Sequence, residues 1–353
     1  MSELIMDKVL INPSDISCFT EKKGSIFVVI TSPELCESIS FGRIGAYSKT
    51  ITISVGQSES MGEKFWEGVP IKSHILVILP DIYFRSPSSE QLGPDRQLAV
   101  MACHSTPTTF QAIQHFLGQS ENTDSERQDK TAEKFFDIGS ASSRLIFEDS
   151  HTGLQLTFNH TSDDLIWHEQ IGKLEWGQQQ LFPSGEISTL PVDVFGQNIN
   201  DSLDMNGQLV LHGFPVLHGG DVSYLREDQA RIFSELSALR EYPVIAHVSN
   251  GKVTRWEATM AGADKVVQML EALCKIDGRY ETVVEVGFGI NTSLKLFPGN
   301  NAMNEVYGAD NGAVHFGFGI IPFTQYHLDI ICPHLGVKDD SGKVFFGAKK
   351  YTS

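Results

Sequence analysis

Two short stretches near the C-terminus have almost the same sequence, and they constrain the fold more than any other feature of this chain. Residues 284–290 read VEVGFGI and residues 314–320 read VHFGFGI. This pattern is typical of β-strands, in which every second side chain lies on the same face. Glu285 and His315 occupy the same position in the two stretches. We therefore predict two matched strands, each carrying a side chain of a metal-ligand type.

A third segment adds two more side chains of the same kind. In His327-Leu328-Asp329 one apolar residue separates an imidazole from a carboxylate, so an extended chain places both on one face. Together with Glu285 and His315 they supply two carboxylates and two imidazoles. Such a set suits Zn²⁺, Fe²⁺, Mn²⁺ or Co²⁺ and does not select one of them.

Two features around these segments have both a functional and a purely structural interpretation. The glycines that follow Glu285 and His315 would leave room where a backbone or a substrate comes close to a metal, but core packing also explains them. Glu305 and Asp310 lie between the two matched stretches. Either could be a bridging ligand, or both could belong to a solvated loop. His212, His218 and the stretch 167–169 are weaker candidates for a functional pocket.

The length of the chain and the change in its local composition predict two domains. Its 353 residues can form two cores, and a polar stretch from 118 to about 133 separates two regions of different character. Residues 1–135 are predicted to form a small open α/β domain, and residues 136–353 a β-rich domain that carries the metal site. The predicted fold class is therefore α/β (α+β), with a small open α/β domain followed by a β-rich domain.

Local patterns predict individual elements in both domains. In the first, strands are expected at 26–30, 51–55, 75–79 and 99–103, with an amphipathic helix beginning near Phe110. In the second, Asn250-Gly251 between two strand-like runs predicts a hairpin turn. Residues 261–276 have the apolar spacing of a helix, and Gly278 follows as a stop signal.

Charge and composition exclude several classes of partner. The formal net charge of −17 would repel a phosphate backbone, so we expect no nucleic-acid partner. No apolar run approaches the roughly 18–20 residues of a spanning helix, and the N-terminus lacks the pattern of a signal peptide. We therefore expect a cytoplasmic protein that has no membrane partner. The five cysteines are scattered and are expected to be reduced.

Several short segments, in order, make the chain from about residue 140 resemble the thermophilic aminopeptidase T family of metallopeptidases. The matching segments are GLQLTF at 153–158, FPSGEI at 182–187, NGKV at 250–253, EVGFGIN at 285–291, VHFGFG at 314–319 and HLD at 327–329. The first 118 residues show no such match. The resemblance implies a β-rich C-terminal domain of the thermophilic aminopeptidase type.

This resemblance implies a hydrolase with a two-metal site. Glu285, His315, His327 and Asp329 would be ligands of Zn²⁺, Mn²⁺ or Co²⁺, and the remaining bridging carboxylate would be Asp310 or Glu305. A metal-activated water would attack a peptide or a small amide. Glu186 would act as an acid or base or contact the substrate amine, and Tyr326 is the nearest candidate for the family's catalytic tyrosine. Relatives in the family are dimers, so a homodimer is expected.

Two alternatives remain open. The ring-cleaving 2,5-dihydroxypyridine dioxygenases resemble the same fold and hold one Fe²⁺ with two histidines and an aspartate. His315, His327 and Asp329 could supply such a triad here. The third interpretation is a metal-free binding or scaffold protein, because a fold by itself does not determine a function.

Overall fold

The computed structural model describes most of the chain. It covers residues 8–56, 61–80, 82, 84–103, 105–106, 108–194, 202–219, 225–298, 303–320 and 323–349. Within these residues the chain divides into two compact units. The first contains residues up to 126 together with 170–184 and 297–303, and the second contains 127–169, 185–296 and 304 onward. The units are discontinuous in sequence, whereas the polar stretch after residue 118 predicted a single division at residue 135.

Strands occur in every part of the described chain, from Val9 to Gly347. In chain order they are β1 (Val9–Ile11), β2 (Ile26–Thr31), β3 (Ile39–Phe41), β4 (Lys49–Ser54), β5 (Ser73–Ile78), β6 (Arg96–Met101), β7 (Leu145–Asp149), β8 (Gln155–Phe158), β9 (Leu165–Gln170), β10 (Gln179–Phe182), β11 (Glu186–Pro191), β12 (Met205–Leu211), β13 (Phe214–Gly219), β14 (Val244–Ser249), β15 (Lys252–Ala258), β16 (Val283–Gly289), β17 (Ala313–Phe318), β18 (Tyr326–Cys332), β19 (Leu335–Lys338) and β20 (Val344–Gly347).

The helices are fewer and mostly short. In chain order they are α1 (Pro33–Cys36), α2 (Glu63–Gly68), α3 (Ser89–Leu92), α4 (Phe110–Glu121), α5 (Ser125–Ser140), α6 (Arg226–Leu236) and α7 (Asp264–Ile276). Short 3₁₀ turns cover Pro13–Asp15, Ser237–Arg240, Ala261–Ala263 and Gly278–Glu281. No helix of the described ranges has the length and apolar character that crossing a membrane requires.

The first unit is built on a parallel sheet. Its five strands lie in the order β10-β6-β5-β2-β4, and β1 pairs with β3 in a separate parallel ribbon. Every residue of β5 and β6 is buried, as is usual for central strands of a parallel sheet. The four strands predicted from apolar runs in this part of the chain are β2, β4, β5 and β6, so that prediction is confirmed.

The second unit contains two sheets. One has six strands in the order β13-β18-β17-β16-β11-β9, and the other has seven in the order β15-β14-β12-β8-β7-β19-β20. Within the larger sheet each neighbouring pair is antiparallel. The parallel sheet of one unit and the β-rich second unit confirm the predicted α/β fold class.

Aromatic side chains join the two sheets of the second unit. Phe147 of β7 lies 6.2 Å from Phe288 and 5.3 Å from Phe316, measured between ring centroids. On the same face of the six-stranded sheet, Phe318 packs against Trp256 of β15. Burying rings of this size between two sheets is the main stabilising contribution to such a core. The opposite face of the six-stranded sheet is thereby left for polar side chains.

The hairpin and the helix predicted from local sequence in this unit are both present in the structure. Asn250 and Gly251 link β14 to β15 with φ of 49° and 71°, and Ser249 pairs with Lys252, so the predicted hairpin is confirmed. The predicted helix at 261–276 appears as a 3₁₀ turn followed by α7, with Val266, Leu270 and Leu273 buried. The polar stretch after residue 118 is largely helical, since it includes the end of α4 and the first half of α5.

Candidate metal centre

The two matched stretches form adjacent antiparallel strands. β16 pairs with β17 so that Glu285 lies opposite Gly317, and His315 lies opposite Gly287. β18 pairs with β17 on its other side, and Asp329 also lies opposite Gly317. Because the strands run in opposite directions, each ligand-type side chain lies beside the glycine of its neighbour. The polar positions of β16, β17 and β18 therefore share one face of the sheet.

The glycines provide the space that these side chains occupy. A Cβ atom at Gly287 would lie 2.0 Å from Nε2 of His315, which is far inside van der Waals contact. At Gly317 a Cβ would come within 2.8 Å of Cβ of Glu285 and of Cε1 of His327. The sequence offered close approach of a backbone or substrate to a metal, or core packing, as the reason for these glycines; in the structure they leave room for the side chains of the cluster itself.

Glu186, Glu285 and His315 form the first group of this cluster. Glu186 begins β11, which pairs with β16 so that Glu186 lies opposite Gly289. Its Oε1 is 3.2 Å from Nε2 of His315, and both residues are buried. Candidate ligand atoms of the three residues lie within 4.8 Å of one another.

Glu285, His327 and Asp329 form the second group. Nε2 of His327 is 3.2 Å from Oε2 of Glu285 and 3.1 Å from Oδ1 of Asp329. Nδ1 of His327 donates to the carbonyl oxygen of Gly319 at 2.7 Å, which fixes a proton on Nδ1 and directs Nε2 at the two carboxylates. Metal-binding histidines are oriented by this kind of bond to a carbonyl.

His218, Glu305 and Asp329 form the third group. Nε2 of His218 is 3.0 Å from Oε2 of Glu305 and 3.1 Å from Oδ2 of Asp329. His218 lies on β13 directly opposite His327 of β18, which explains why it reaches the same cluster. Glu285 belongs to the first two groups and Asp329 to the last two. The three groups therefore form one continuous cluster of seven side chains.

The segment before β17 brings Glu305 to the sheet. Glu305 is buried, and the backbone on either side lies against Gly289, where a Cβ would come within 2.7 Å of the carbonyl oxygen of Glu305 and 2.3 Å of that of Tyr307. Asn291 N donates to Val306 O at 3.0 Å and holds the segment in place. A glycine at this position thus permits the close approach that brings a fourth carboxylate to the cluster.

The carboxylates change the protonation of the histidines. Burial lowers the pKa of His218, but the charge of Glu305 and bonds to both neighbouring carboxylates outweigh it and raise the pKa to about 10. Burial also opposes protonation of His315, yet its bond to Glu186 raises the pKa to about 9. Without a metal these imidazoles therefore carry protons and pair with the carboxylates.

The pKa values of Asp329 and Glu186 are shifted in opposite directions. Burial disfavours ionisation of Asp329, but the charge of His327 and the bond from His218 hold its pKa well below the usual value. For Glu186 burial dominates over the bond to His315 and raises the pKa to about 7. Asp329 is thus held in its ionised form, whereas burial favours the protonated form of Glu186.

Two residues proposed from the sequence lie outside this cluster. Tyr326 adjoins His327 on β18, so its side chain lies on the opposite face, where its hydroxyl donates to Leu225 O and Asp228 Oδ2 at 3.2 Å each. There it lines a cavity of about 160 Å³. Asp310 is exposed and belongs to none of the three groups. Of the two carboxylates proposed between the strands, the structure therefore brings Glu305 and not Asp310 to the cluster.

The side chains of the cluster fit a divalent metal. Carboxylate oxygens and imidazole nitrogens are the usual ligands of Zn²⁺, Mn²⁺, Co²⁺ and Fe²⁺. Nδ1 of His315 is buried and has no hydrogen-bond partner among the described residues, so one polar atom of the first group is left unsatisfied. Burying this many ionisable groups is costly unless they bind a cation or neutralise one another.

Comparison with solved structures places the fold among known ones. The 2,5-dihydroxypyridine dioxygenase of Pseudomonas putida is similar over 93% of this chain and 92% of its own, with a TM-score of 0.58 and 13% identity. AmpT of Thermus thermophilus gives a TM-score of 0.45 at 11% identity, over 91% of this chain and 92% of its own. At 13% identity, the structural similarity to the dioxygenase establishes a shared fold and gives no information about activity.

Sequence comparison identifies the family. No curated protein gives a significant match. The sequence profile of the family described as Crocagin biosynthetic protein CgnE/B matches residues 61–339. That range includes each of the seven side chains of the cluster. Because the match spans well over half of the chain, this protein belongs to the Crocagin biosynthetic protein CgnE/B family.

Proposed function

We propose that this protein is a divalent-metal-dependent enzyme whose centre is the cluster on the six-stranded sheet. The observation that carries the proposal is the position of Glu285, which lies in two three-residue groups at once. A carboxylate shared between two groups is the arrangement that bridges a pair of metal ions. The pair would be Zn²⁺, Mn²⁺ or Co²⁺, held by Glu186, Glu285 and His315 on one side and by Glu285, His327 and Asp329 on the other.

The chemistry that follows is hydrolysis. A bound pair of divalent ions supplies an activated water and polarises a carbonyl group. Glu186 would serve as a ligand within the first group, because its carboxylate faces His315 at 3.2 Å. His218 would hold Asp329 in place through Oδ2 and leave Oδ1 for the second group. The substrate proposed is a peptide or small amide, and the family name suggests an intermediate in the biosynthesis of crocagin or a related compound.

A specific contact supports a second candidate function. His218 and His327 each lie 3.1 Å from Asp329, so two imidazoles meet one carboxylate, as in sites for a single non-haem Fe²⁺. The sequence pointed to His315 as the second histidine of such a triad, whereas in the structure His315 contacts Glu186 instead. The shared fold with a dioxygenase is consistent with this alternative, which would be a ring-cleaving oxygenase with one iron.

Metal content separates these functions. Protein purified without added metal should contain about two equivalents of zinc, manganese or cobalt if the centre is hydrolytic. Glu285→Gln should lose both ions because it removes the shared carboxylate, whereas His315→Ala should lose the ion of the first group alone. His168, a weaker candidate from the sequence, is exposed and belongs to none of the three groups, so His168→Ala serves as a control that should leave the metal content unchanged.

Two outcomes would contradict the hydrolase. One equivalent of iron together with oxygen uptake would favour the dioxygenase. Absence of metal after incubation with each of the three ions would favour a metal-free binding protein. The variant His327→Ala provides a further check, because wild-type metal content in that variant would exclude the proposed ligand set.

A further inference from the structure

The strand that carries His327 extends past its neighbour β17 at one end. The ladder between β17 and β18 ends at the pair of Phe318 and Leu328. Tyr326, the first residue of β18, lies beyond that pair and has no partner on β17, so its backbone N–H and carbonyl cannot bond to that strand. The residue is buried, and buried backbone groups need a hydrogen-bond partner.

The side chain of Tyr280 takes the place of the missing strand. Tyr280 lies in the 3₁₀ turn Gly278–Glu281, shortly before β16, and is buried. Its hydroxyl donates to the carbonyl oxygen of Tyr326 at 3.1 Å and accepts from the backbone N–H of Tyr326 at 3.0 Å. One side chain thus satisfies both backbone groups of the residue that precedes His327.

Tyr280 also lies against the residue that orients the ring of His327. The carbonyl oxygen of Gly319 accepts from Nδ1 of His327 at 2.7 Å. Gly319 has φ of 79°, and a Cβ there would lie 2.7 Å from Cε1 of Tyr280 and 2.8 Å from the carbonyl oxygen of Tyr326. The ring of Tyr280 therefore packs closely on the turn that follows β17. Its position affects both the backbone beside His327 and the acceptor of the Nδ1 proton.

Neighbouring residues hold the two segments together around Tyr280. Nη2 of Arg279 donates to the carbonyl oxygen of Phe323 at 2.7 Å. Oγ1 of Thr324 donates to the carbonyl oxygen of Tyr326 at 2.7 Å, beside the bond from Tyr280. The turn before β16 is thereby tied to the segment that leads into β18.

We propose that Tyr280 is a positioning residue of the second group, because it fixes the backbone that directs Nε2 of His327 at the bound ion. This role rests on the proposed metal centre. Tyr280 belongs to none of the three groups, so its effect reaches the ion through His327. A ligand that is already held in its bound orientation loses little conformational freedom when the ion binds, which increases the affinity.

Isothermal titration of metal-free protein with Zn²⁺ tests this role in the His315→Ala background, where only the second group should bind an ion. Tyr280→Phe keeps the ring and removes the hydroxyl, and it should lower the affinity about 10–100-fold. Tyr47→Phe is the matched control. It removes the hydroxyl of another buried tyrosine, which lies 2.8 Å from Nδ1 of His74 in the first unit, and should leave the affinity unchanged.

A second background separates positioning from a general effect on the fold. His327→Ala removes the ligand that Tyr280 is proposed to position, so Tyr280→Phe should there change the Zn²⁺ affinity of the first group less than about 2-fold. A merely structural role would lower the affinity in both backgrounds. If circular dichroism shows that Tyr280→Phe does not fold, Thr324→Val carries the test. It removes the other donor to the carbonyl oxygen of Tyr326 and should lower the affinity of the second group alone.

The possible failures of this experiment are distinguishable. Equal affinities of Tyr280→Phe and Tyr47→Phe in the His315→Ala background would overturn the role of Tyr280. An equal loss of affinity for Tyr280→Phe in both backgrounds would also overturn it. Absence of Zn²⁺ binding by the wild type would instead refute the proposed metal centre, and the role of Tyr280 with it.

Discussion

At the scale of single residues, the glycines beside the ligand-type side chains decide whether the cluster can exist. In an antiparallel pair, side chains of directly opposite residues crowd one another. Here Glu285 and His315 each lie opposite a glycine, Gly317 and Gly287, so neither meets a side chain in that position. The sequence repeat is therefore a device that leaves space for polar groups on a tightly packed sheet.

Gly287→Ala is predicted to damage the first group without unfolding the protein. The added Cβ would lie 2.0 Å from Nε2 of His315 and must displace the ring. We expect metal affinity at this group to fall about 10–100-fold, as when a ligand loses its orientation. Isothermal titration with Zn²⁺ measures the change.

Gly139→Ala is the matched control for that variant. It lies in α5, where a Cβ would meet nothing within 4 Å, so metal affinity should not change. Stability should rise by up to about 1 kcal/mol, since alanine is the better helix former. Identical zinc affinities for the two alanine variants would show that the space at Gly287 is unimportant to the centre.

At the scale of elements, turn chemistry and strand register locate the side chains. The hairpin of β14 and β15 requires positive φ at both of its turn residues, and Asn250-Gly251 provides it. By contrast, the pairing of β13 with β18 brings His218 opposite His327 with no local signal in either segment. Elements joined by a short turn are thus encoded locally, and elements joined across the sheet are not.

Gly251→Ala is predicted to destabilise the second unit by about 2 kcal/mol or more, through positive φ and overpacking. Its φ is 71°, and a Cβ would lie 2.1 Å from the carbonyl oxygen of Leu203. Asn250→Gly is the control, because glycine suits the same turn, and should change stability by less than about 1 kcal/mol. Urea unfolding compares the two. A Gly251→Ala midpoint equal to that of Asn250→Gly would refute the prediction.

At the scale of the whole molecule, the two units bury ionisable groups in different ways. The second unit gathers carboxylates and imidazoles that neutralise one another. The first unit buries His74 among aromatic rings, stacked on Phe19 at 4.9 Å, with its Nδ1 2.8 Å from the hydroxyl of Tyr47. Burial therefore lowers the pKa of His74 from 6.5 to about 4.

This lowered pKa predicts a pH-dependent loss of stability. Between pH 6.5 and about 4 the unfolded chain binds a proton at His74 that the folded chain does not. The contribution of His74 to the free energy of unfolding is therefore fully present above pH 6.5. It should fall by up to about 3 kcal/mol as the pH decreases to about 4. Urea midpoints measured across the range test the slope.

Two variants separate the contribution of His74 to the pH dependence of stability from that of carboxylates that titrate in the same pH range. His74→Gln cannot be protonated, so its stability should depend less on pH than that of the wild type. His168→Gln removes an exposed histidine and should keep the wild-type slope. If His74→Gln shows the wild-type slope as well, the buried ring is not the origin of the effect.

The structure also shows why some site residues could not be found from the sequence. His218 reaches the cluster through the pairing of β13 with β18, which no pattern near His218 predicts. Asp310 and Glu305 could not be distinguished until the structure showed the first exposed and the second buried. Tyr326 was the nearest tyrosine in sequence, but strand alternation places its side chain on the other face from His327. Distance along the chain does not determine which face or which partner a residue meets.

The sequence by itself determined the strand character of β16, β17 and β18, the shared face of His327 and Asp329, the Asn250-Gly251 turn and α7. These features depend on the period of neighbouring residues and on backbone preferences that act within a few positions. The tertiary structure decided the assembly of one cluster from β11, β13, β16, β17, β18 and the segment of Glu305. This assembly depends on pairing between segments far apart in the chain, which is set by strand register and by the clearance between backbones and which no local pattern encodes.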